Sequence, residues 1–279
     1  MSETVRAVVF DWAGTTVDFG CLAPAGAFAA AFAAAGVPVT AAEARGPMGM
    51  AKKDHVRAML VSPDLAARWH AAHGRAWTEA DVDDLYRVVT PLQVVAAERH
   101  SALVPGVVAC MSALKNRGIA IAGTTGYFRA AAATVYCHAA DQGYVPDFTI
   151  CADDVPAGRP APWMVFRAME ALGVYPPAAV VKVGDTVIDI ADGLNAGVWS
   201  VGVLDSSSEM GLSEAEFAAL SDGGRNRRRE AIAARFQQAG AHAVVRSVGQ
   251  VPALVAHFDA LLAAGQNPGS VSASLRATQ

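Results

Sequence analysis

The stretch Val8-Val9-Phe10-Asp11-Trp12-Ala13-Gly14-Thr15-Thr16-Val17-Asp18 decides how the rest of the chain is read. An apolar run that ends in an aspartate and passes at once into small, hydroxylated and turn-forming residues is the pattern of a buried strand that opens into a loop. Comparable β-branched runs recur at Val5 to Phe10, Ile119 to Gly123, Asp147 to Cys151, Ala179 to Val183, Trp199 to Leu204 and Ala243 to Val245, with Ala-rich helical stretches between them. Strands alternating with helices imply βαβ units. The expected fold class is therefore α/β, a doubly wound, mostly parallel sheet with helices on both faces. In such sheets ligands bind outside the carboxyl ends of the strands, so Asp11 would project into the crevice. A plain turn would also accept Asp at this place.

The rhythm breaks once. Between the first and second runs lie about a hundred residues with helical patterns and no convincing strand, beginning with Pro24 and the Phe28/Phe32 pair at i,i+4 spacing. This stretch reads as an inserted helical cap over 21–99, with a core made of 1–20 and 100–264. Thr16 to Cys21 and His100 to Gly106 would be the hinges, because polar and turn-forming residues cluster there. The tail 265–279 is rich in Gly, Ser and Pro, offers little to bury and is expected to be mobile.

With 279 residues and 53% hydrophobic composition the chain can bury one large core and a smaller one. The net charge of −4 and the lack of a long basic run exclude a nucleic-acid partner. The short Arg225 to Arg229 cluster reads as a solvated helix face. The N-terminus lacks signal-peptide features and no apolar stretch is long enough to span a bilayer, so a cytoplasmic protein without a membrane role is expected. Cys21, Cys110, Cys137 and Cys151 lack paired metal spacing, and reduced thiols are expected.

Two more strand ends carry chemistry. Thr124-Thr125-Gly126 offers hydroxyls and pliable backbone suited to phosphate oxygens, and Asp185 follows Val183-Gly184 with a second carboxylate. Two carboxylates at adjacent strand ends can hold a hard divalent cation such as Mg²⁺, which would offset repulsion between a carboxylate nucleophile and a phosphoryl dianion. Asp11, Thr124 and Asp185 in this order resemble the motif set of the haloacid dehalogenase superfamily. That resemblance implies Asp11 as a nucleophile forming a covalent intermediate and places the metal at Asp11, Ala13 and Asp185. The role of Asp189 stays open.

Departures from the general superfamily pattern narrow the reading. Most of its phosphatases carry a second Asp two residues after the nucleophile as the acid for an alkoxide leaving group; here the position is Ala13. Something else must activate the leaving group, and Lys52 is the candidate. If a helix starts near Gly49, Lys52 and His55 lie at i,i+3 on one face near its N-terminal end. A lone Lys usually sits in solvent and a His in such a place usually supports structure.

Asp11 to Asp18, Pro47-Met48-Gly49 with Lys52 and Asp54 to Arg57, Thr124 to Tyr127, Asp153 to Pro160 and Lys182 to Thr186 resemble the phosphonoacetaldehyde hydrolase family across nearly the whole chain before the tail. The resemblance implies a Schiff base at Lys52 rather than Lys53, and Arg159 facing the phosphoryl group with Thr124, Thr125 and Gly126. It sets His55, Met48, Cys21 and Tyr127 near the site, where each could equally be packing. It also implies phosphonoacetaldehyde as substrate, Mg²⁺ as cofactor and a homodimer formed through the helical insertion. A phosphatase or dehalogenase of the same superfamily, and a non-catalytic binding protein on the same scaffold, remain open alternatives.

Overall fold

The structure, a computed structural model, describes residues 4–271. Its sheet has six strands, β1 (Ala7–Asp11), β2 (Ala120–Thr125), β3 (Phe148–Cys151), β4 (Val180–Gly184), β5 (Trp199–Val203) and β6 (Ala243–Val245). They pair in parallel in the order β3-β2-β1-β4-β5-β6, each strand overlapping one of the expected runs. Every residue of β1 and β4 is buried, which explains runs that are apolar on both faces rather than alternating, interrupted in β4 by Lys182.

Helices cover both faces. Val8 and Phe10 point into a cluster with α6 (Val107–Lys115), α7 (Arg129–Asp141) and α12 (Val251–Ala263), whereas Ala7 and Val9 meet α8 (Trp163–Leu172) on the other face. Along the far half run α9 (Val187–Asn195), α10 (Glu214–Ala219) and α11 (Asp222–Gln238), with Ile190 of α9 packed against Ile232 and Phe236 of α11. The chain builds outward from β1 to β3 and returns to β4 on the opposite side of β1. The strand order therefore reverses at β1/β4, where a crevice opens at the carboxyl ends. The register sets Asp11 opposite Thr124 and Phe10 opposite Val183.

Residues 22–99 hold α1 (Leu22–Ala34), α2 (Ala41–Arg45), α3 (Lys52–Val61), α4 (Pro63–His73) and α5 (Glu79–Arg99). They enclose a separate core of Phe28, Phe32, Leu60, Leu65, Trp69, Val82, Leu85 and Val89. The two connecting segments run side by side: Asp18 N donates to Ala102 O at 3.0 Å, and Val104 N donates to Thr16 O at 2.9 Å. Asp18 also accepts from Leu22 N and Ala23 N, both at 3.0 Å, which tethers the first turn of α1 to the connection.

Three expectations need correction. The helix carrying Lys52 begins at Lys52 itself, because Gly49 has φ +96° and cannot be helical. The tail does bury surface up to the last described residue: Val271 is 6% exposed and packs with the main core, while Pro268 O lies 2.9 Å from His242 Nε2. Residues 272–279, the remainder of that expectation, lie outside the described residues. The arginine cluster is not wholly solvated either, since Arg229 forms a two-pronged pair with Asp205, both distances 2.6 Å. No helix among the described residues is long and apolar enough to cross a membrane.

Candidate active site

Asp11 ends β1 and Asp185 follows β4, and the adjacency of these strands brings the two carboxylates together with Asp189 of α9. All three are buried, with candidate ligand oxygens within 4.8 Å of one another. Burial raises the Asp11 carboxyl above the ordinary range and Asp189 adds to this, with Arg159 and Lys182 pulling the other way. Asp185 is likewise pushed up, by burial and then by Asp11 and Asp189; Ser208 N, which donates to its Oδ2 at 2.7 Å, opposes this. Two carboxylates that penalise one another in a dry site need a cation.

Arg159 is the hub. Its side chain is 1% exposed, Nη1 donates to Asp11 Oδ1 at 2.6 Å and faces Asp189 Oδ1 at 2.9 Å, and Nη2 donates to Thr124 O at 2.6 Å and to Thr124 Oγ1. Burial opposes its charge, yet Asp189, Asp11 and Asp192 outweigh burial and hold the guanidinium firmly charged. Asp189 is also gripped by Lys182 Nζ at 2.7 Å and Thr186 Oγ1 at 2.6 Å. Burial works against its ionised form, but Arg159 and Lys182 win and hold it down at about 2.

The cluster thus sets the buried carboxylates Asp11, Asp185, Asp189 and Asp192 against the buried cations Arg159 and Lys182, a formal excess of two negative charges that Lys52 in its charged form would cut to one. A divalent, oxygen-seeking cation fits both that excess and the all-carboxylate donor set. Asp11, Asp185 and Asp189 are the carboxylates that could hold it; Asp189 is engaged by Lys182, Arg159 and Thr186, and Asp11 by Arg159 through one oxygen. Ala13, half-buried beside them, could contribute only its backbone carbonyl.

Lys52 is 6% exposed and its Nζ lies 5.0 Å from the centre of the Tyr127 ring. Burial lowers its pKa from the usual lysine range; Cys21, Asp11 and Asp185 pull it back up and Arg159 adds to the lowering. Lys52 is thus electrostatically coupled to the carboxylate cluster. Lys53, in contrast, points away to an exposed pair with Asp83. His55 is fully buried, stacked 3.8 Å from Phe28 with Nε2 2.9 Å from Ala44 O, and burial followed by the Lys52 charge drives its pKa well below the usual value. Cys21 and Tyr127 are buried and electrostatically coupled to the site, whereas Met48 packs into the core of the helical insertion.

Glycines let the insertion come this close. A Cβ on Gly126 would stand 2.5 Å from Met50 O, one on Gly158 would stand 2.8 Å from Ala51 Cβ, and one on Gly49 would stand 2.6 Å from Thr186 Oγ1. The segment leading into Lys52 therefore rests on three core loops. Thr125 Oγ1 accepts from Tyr127 N at 3.1 Å, shaping the turn that places Gly126 there.

Asp189, Lys182 and Asp192 escaped the sequence reading as site residues. Lys182 gave a usable signal: a lysine inside Val180-Val181-Lys182-Val183, a run expected to be buried, demands a buried counter-charge. Asp192 gave none, since a helical Asp ordinarily faces water.

Comparison with known proteins agrees with this geometry. Residues 5–197 match the family model described as haloacid dehalogenase-like hydrolase. A phosphonoacetaldehyde hydrolase from Syntrophobacter fumaroxidans is 46% identical over 95% of both chains. Another from Paraburkholderia xenovorans is 43% identical over 95% of this chain and 99% of that one. The crystal structure of a phosphonoacetaldehyde hydrolase-like protein from Oleispira antarctica superposes with a TM-score of 0.94 at 38% identity, covering 96% of this chain and 97% of that one. The chain belongs to the haloacid dehalogenase-like hydrolases and, within them, to the phosphonoacetaldehyde hydrolase family.

Proposed function

We propose that the chain hydrolyses the carbon–phosphorus bond of phosphonoacetaldehyde, giving acetaldehyde and phosphate, through a Schiff base on Lys52 and an aspartyl-phosphate on Asp11. The observation that carries the reading is a buried lysine whose charged form is disfavoured, set against a buried aspartate of opposite chemical character. A phosphate monoesterase of this fold has no need of such an amine.

Cleaving a carbon–phosphorus bond leaves an electron pair on carbon, a poor leaving atom. The Lys52 amine, in its uncharged form, condenses with the aldehyde, releases water and takes up one proton. The resulting iminium, one carbon from the carbon bearing phosphorus, accepts that electron pair as an enamine. Asp11 attacks phosphorus as the bond to carbon breaks, and water then releases phosphate. Protonation of the enamine carbon and hydrolysis of the imine yield acetaldehyde and restore Lys52. Ala13 fits this route, because the carbon leaving group takes no proton from that position. Arg159 and Thr124 hold the phosphoryl oxygens, and His55, kept neutral one turn along α3 from Lys52, steadies the helix that presents the amine. A Mg²⁺ ion held by Asp11, Asp185 and the Ala13 carbonyl would screen the approach of carboxylate to phosphonate.

In the same reading residues 21–99 act as a cap on a core of 1–20 and 100–264, and closure completes the site by bringing Lys52 to Asp11. The protein works in the cytoplasm as a homodimer. Val88, Leu92 and Val95, exposed along one face of α5, support a second copy docking on the insertion.

Borohydride added during turnover with Mg²⁺ should attach a stable adduct to Lys52, seen as a mass increase on its peptide, while acetaldehyde and phosphate appear in equal amounts without it. An adduct confined to Lys53 would overturn the lysine assignment. Faster release of phosphate from a monoester than from phosphonoacetaldehyde would overturn the reaction.

A further inference from the structure

Asp192 is a buried carboxylate that the proposed reaction leaves unused. It lies on α9, is 0% exposed, and stands outside the Asp11, Asp185 and Asp189 group. Its Oδ2 lies 3.5 Å from Arg159 Nε. That is an ion-pair distance and not a hydrogen bond: among the described residues neither Arg159 Nε nor either oxygen of Asp192 has a hydrogen-bond partner. A donor and an acceptor are thus buried facing one another, slightly too far apart, in a site where every other nitrogen of the same guanidinium is engaged. Leaving both unsatisfied is costly in a dry interior unless the gap closes at some stage.

The other end of Arg159 suggests when. Nη1 is held by Asp11 Oδ1 at 2.6 Å, so the intended nucleophile is paired with the group meant for the phosphoryl oxygens. For Asp11 to attack phosphorus, Nη1 has to pass from the carboxylate to the incoming phosphoryl group. A guanidinium is rigid and planar, so moving Nη1 also moves Nε. We propose that Asp192 is a positioning residue that acts through Arg159: it catches Nε as the guanidinium transfers from Asp11 to the phosphoryl group, and so sets the affinity for that group. The inference rests on the phosphoryl-binding role assigned to Arg159 above.

The test uses the full-length protein with Mg²⁺ and two readouts, KM for phosphonoacetaldehyde and the calorimetric Kd for inorganic phosphate. Asp192→Leu should weaken both by roughly tenfold, the size of a charge-assisted hydrogen bond, with borohydride trapping at Lys52 retained. Asp192→Asn keeps an acceptor and the shape, so its loss should be smaller. In an Arg159→Lys background, which has no Nε to catch, Asp192→Asn or Asp192→Leu should cost nothing further in phosphate affinity. Equal losses in both backgrounds, or wild-type phosphate affinity in both Asp192 variants, would overturn the inference. If Asp192→Leu does not fold, the Asp192→Asn comparison in the two backgrounds decides it. Failure of the wild type to cleave phosphonoacetaldehyde would sink the proposed reaction, and the phosphate affinities would still decide the role of Asp192.

Discussion

His55 shows how one residue can be near the chemistry and still be held by structure. Its ring is sandwiched against Phe28 with Nε2 bonded to a backbone carbonyl, and both burial and the Lys52 charge keep it neutral. An unfolded chain would protonate this imidazole near pH 6.5, whereas the folded chain resists until much lower pH. The unfolded state therefore binds the extra proton, and the contribution of His55 to stability is present above about pH 6.5 and lost as pH falls below it. Tm measured between pH 7.5 and 5 should fall less steeply in His55→Leu than in the wild type; parallel slopes would show that His55 does not resist protonation. At this scale Asp11 was picked out by its place at the end of an apolar strand, and Lys52 and Arg159 by the family resemblance of the segments around them. Asp189 and Asp192 were not, because a carboxylate in the first turns of a helix looks the same whether it caps that helix or balances a buried arginine.

All six strands were legible as apolar runs, and the absence of strands between β1 and β2 correctly marked the helical insertion. The start of α3 was misplaced because the run from Gly49 to Lys52 has no cap signal; its shape is set by contacts with distant loops. Those contacts carry a prediction. Gly158→Ala leaves every ionisable group in place but adds a methyl where Ala51 Cβ already stands 2.8 Å away, and Gly126→Ala presses on Met50 O. Either should push the segment before Lys52 off the core, lowering kcat and the rate of borohydride trapping together by about tenfold or more, since small misplacements cost about 10²-fold at worst. Phosphate affinity, set by Arg159 and Thr124, should change little in Gly158→Ala, whereas Gly126 itself lies in the stretch that faces the phosphoryl group. Unimpaired trapping in both variants would mean the seam tolerates displacement.

For the molecule as a whole, the buried charge imbalance predicts a link between cation binding and stability. Mg²⁺ at a hundred times its Kd should add about 2.7 kcal/mol, or roughly 5–10 °C in Tm at this size. Asp185→Asn should lose that response, and in a chelator its Tm should equal or exceed that of the wild type, because one of two mutually repelling carboxylates is gone. A wild-type Tm indifferent to Mg²⁺ would contradict the metal assignment. The topology that creates the site has a price in time. β1 is central, and its first neighbour, Ala120 of β2, lies 113 residues after Ala7. At roughly 5–20 residues per second of synthesis, this apolar strand waits about 6–23 s on the ribosome before any partner emerges. The helical insertion that follows it, with a core of its own, can complete first and become the body against which the nascent sheet assembles.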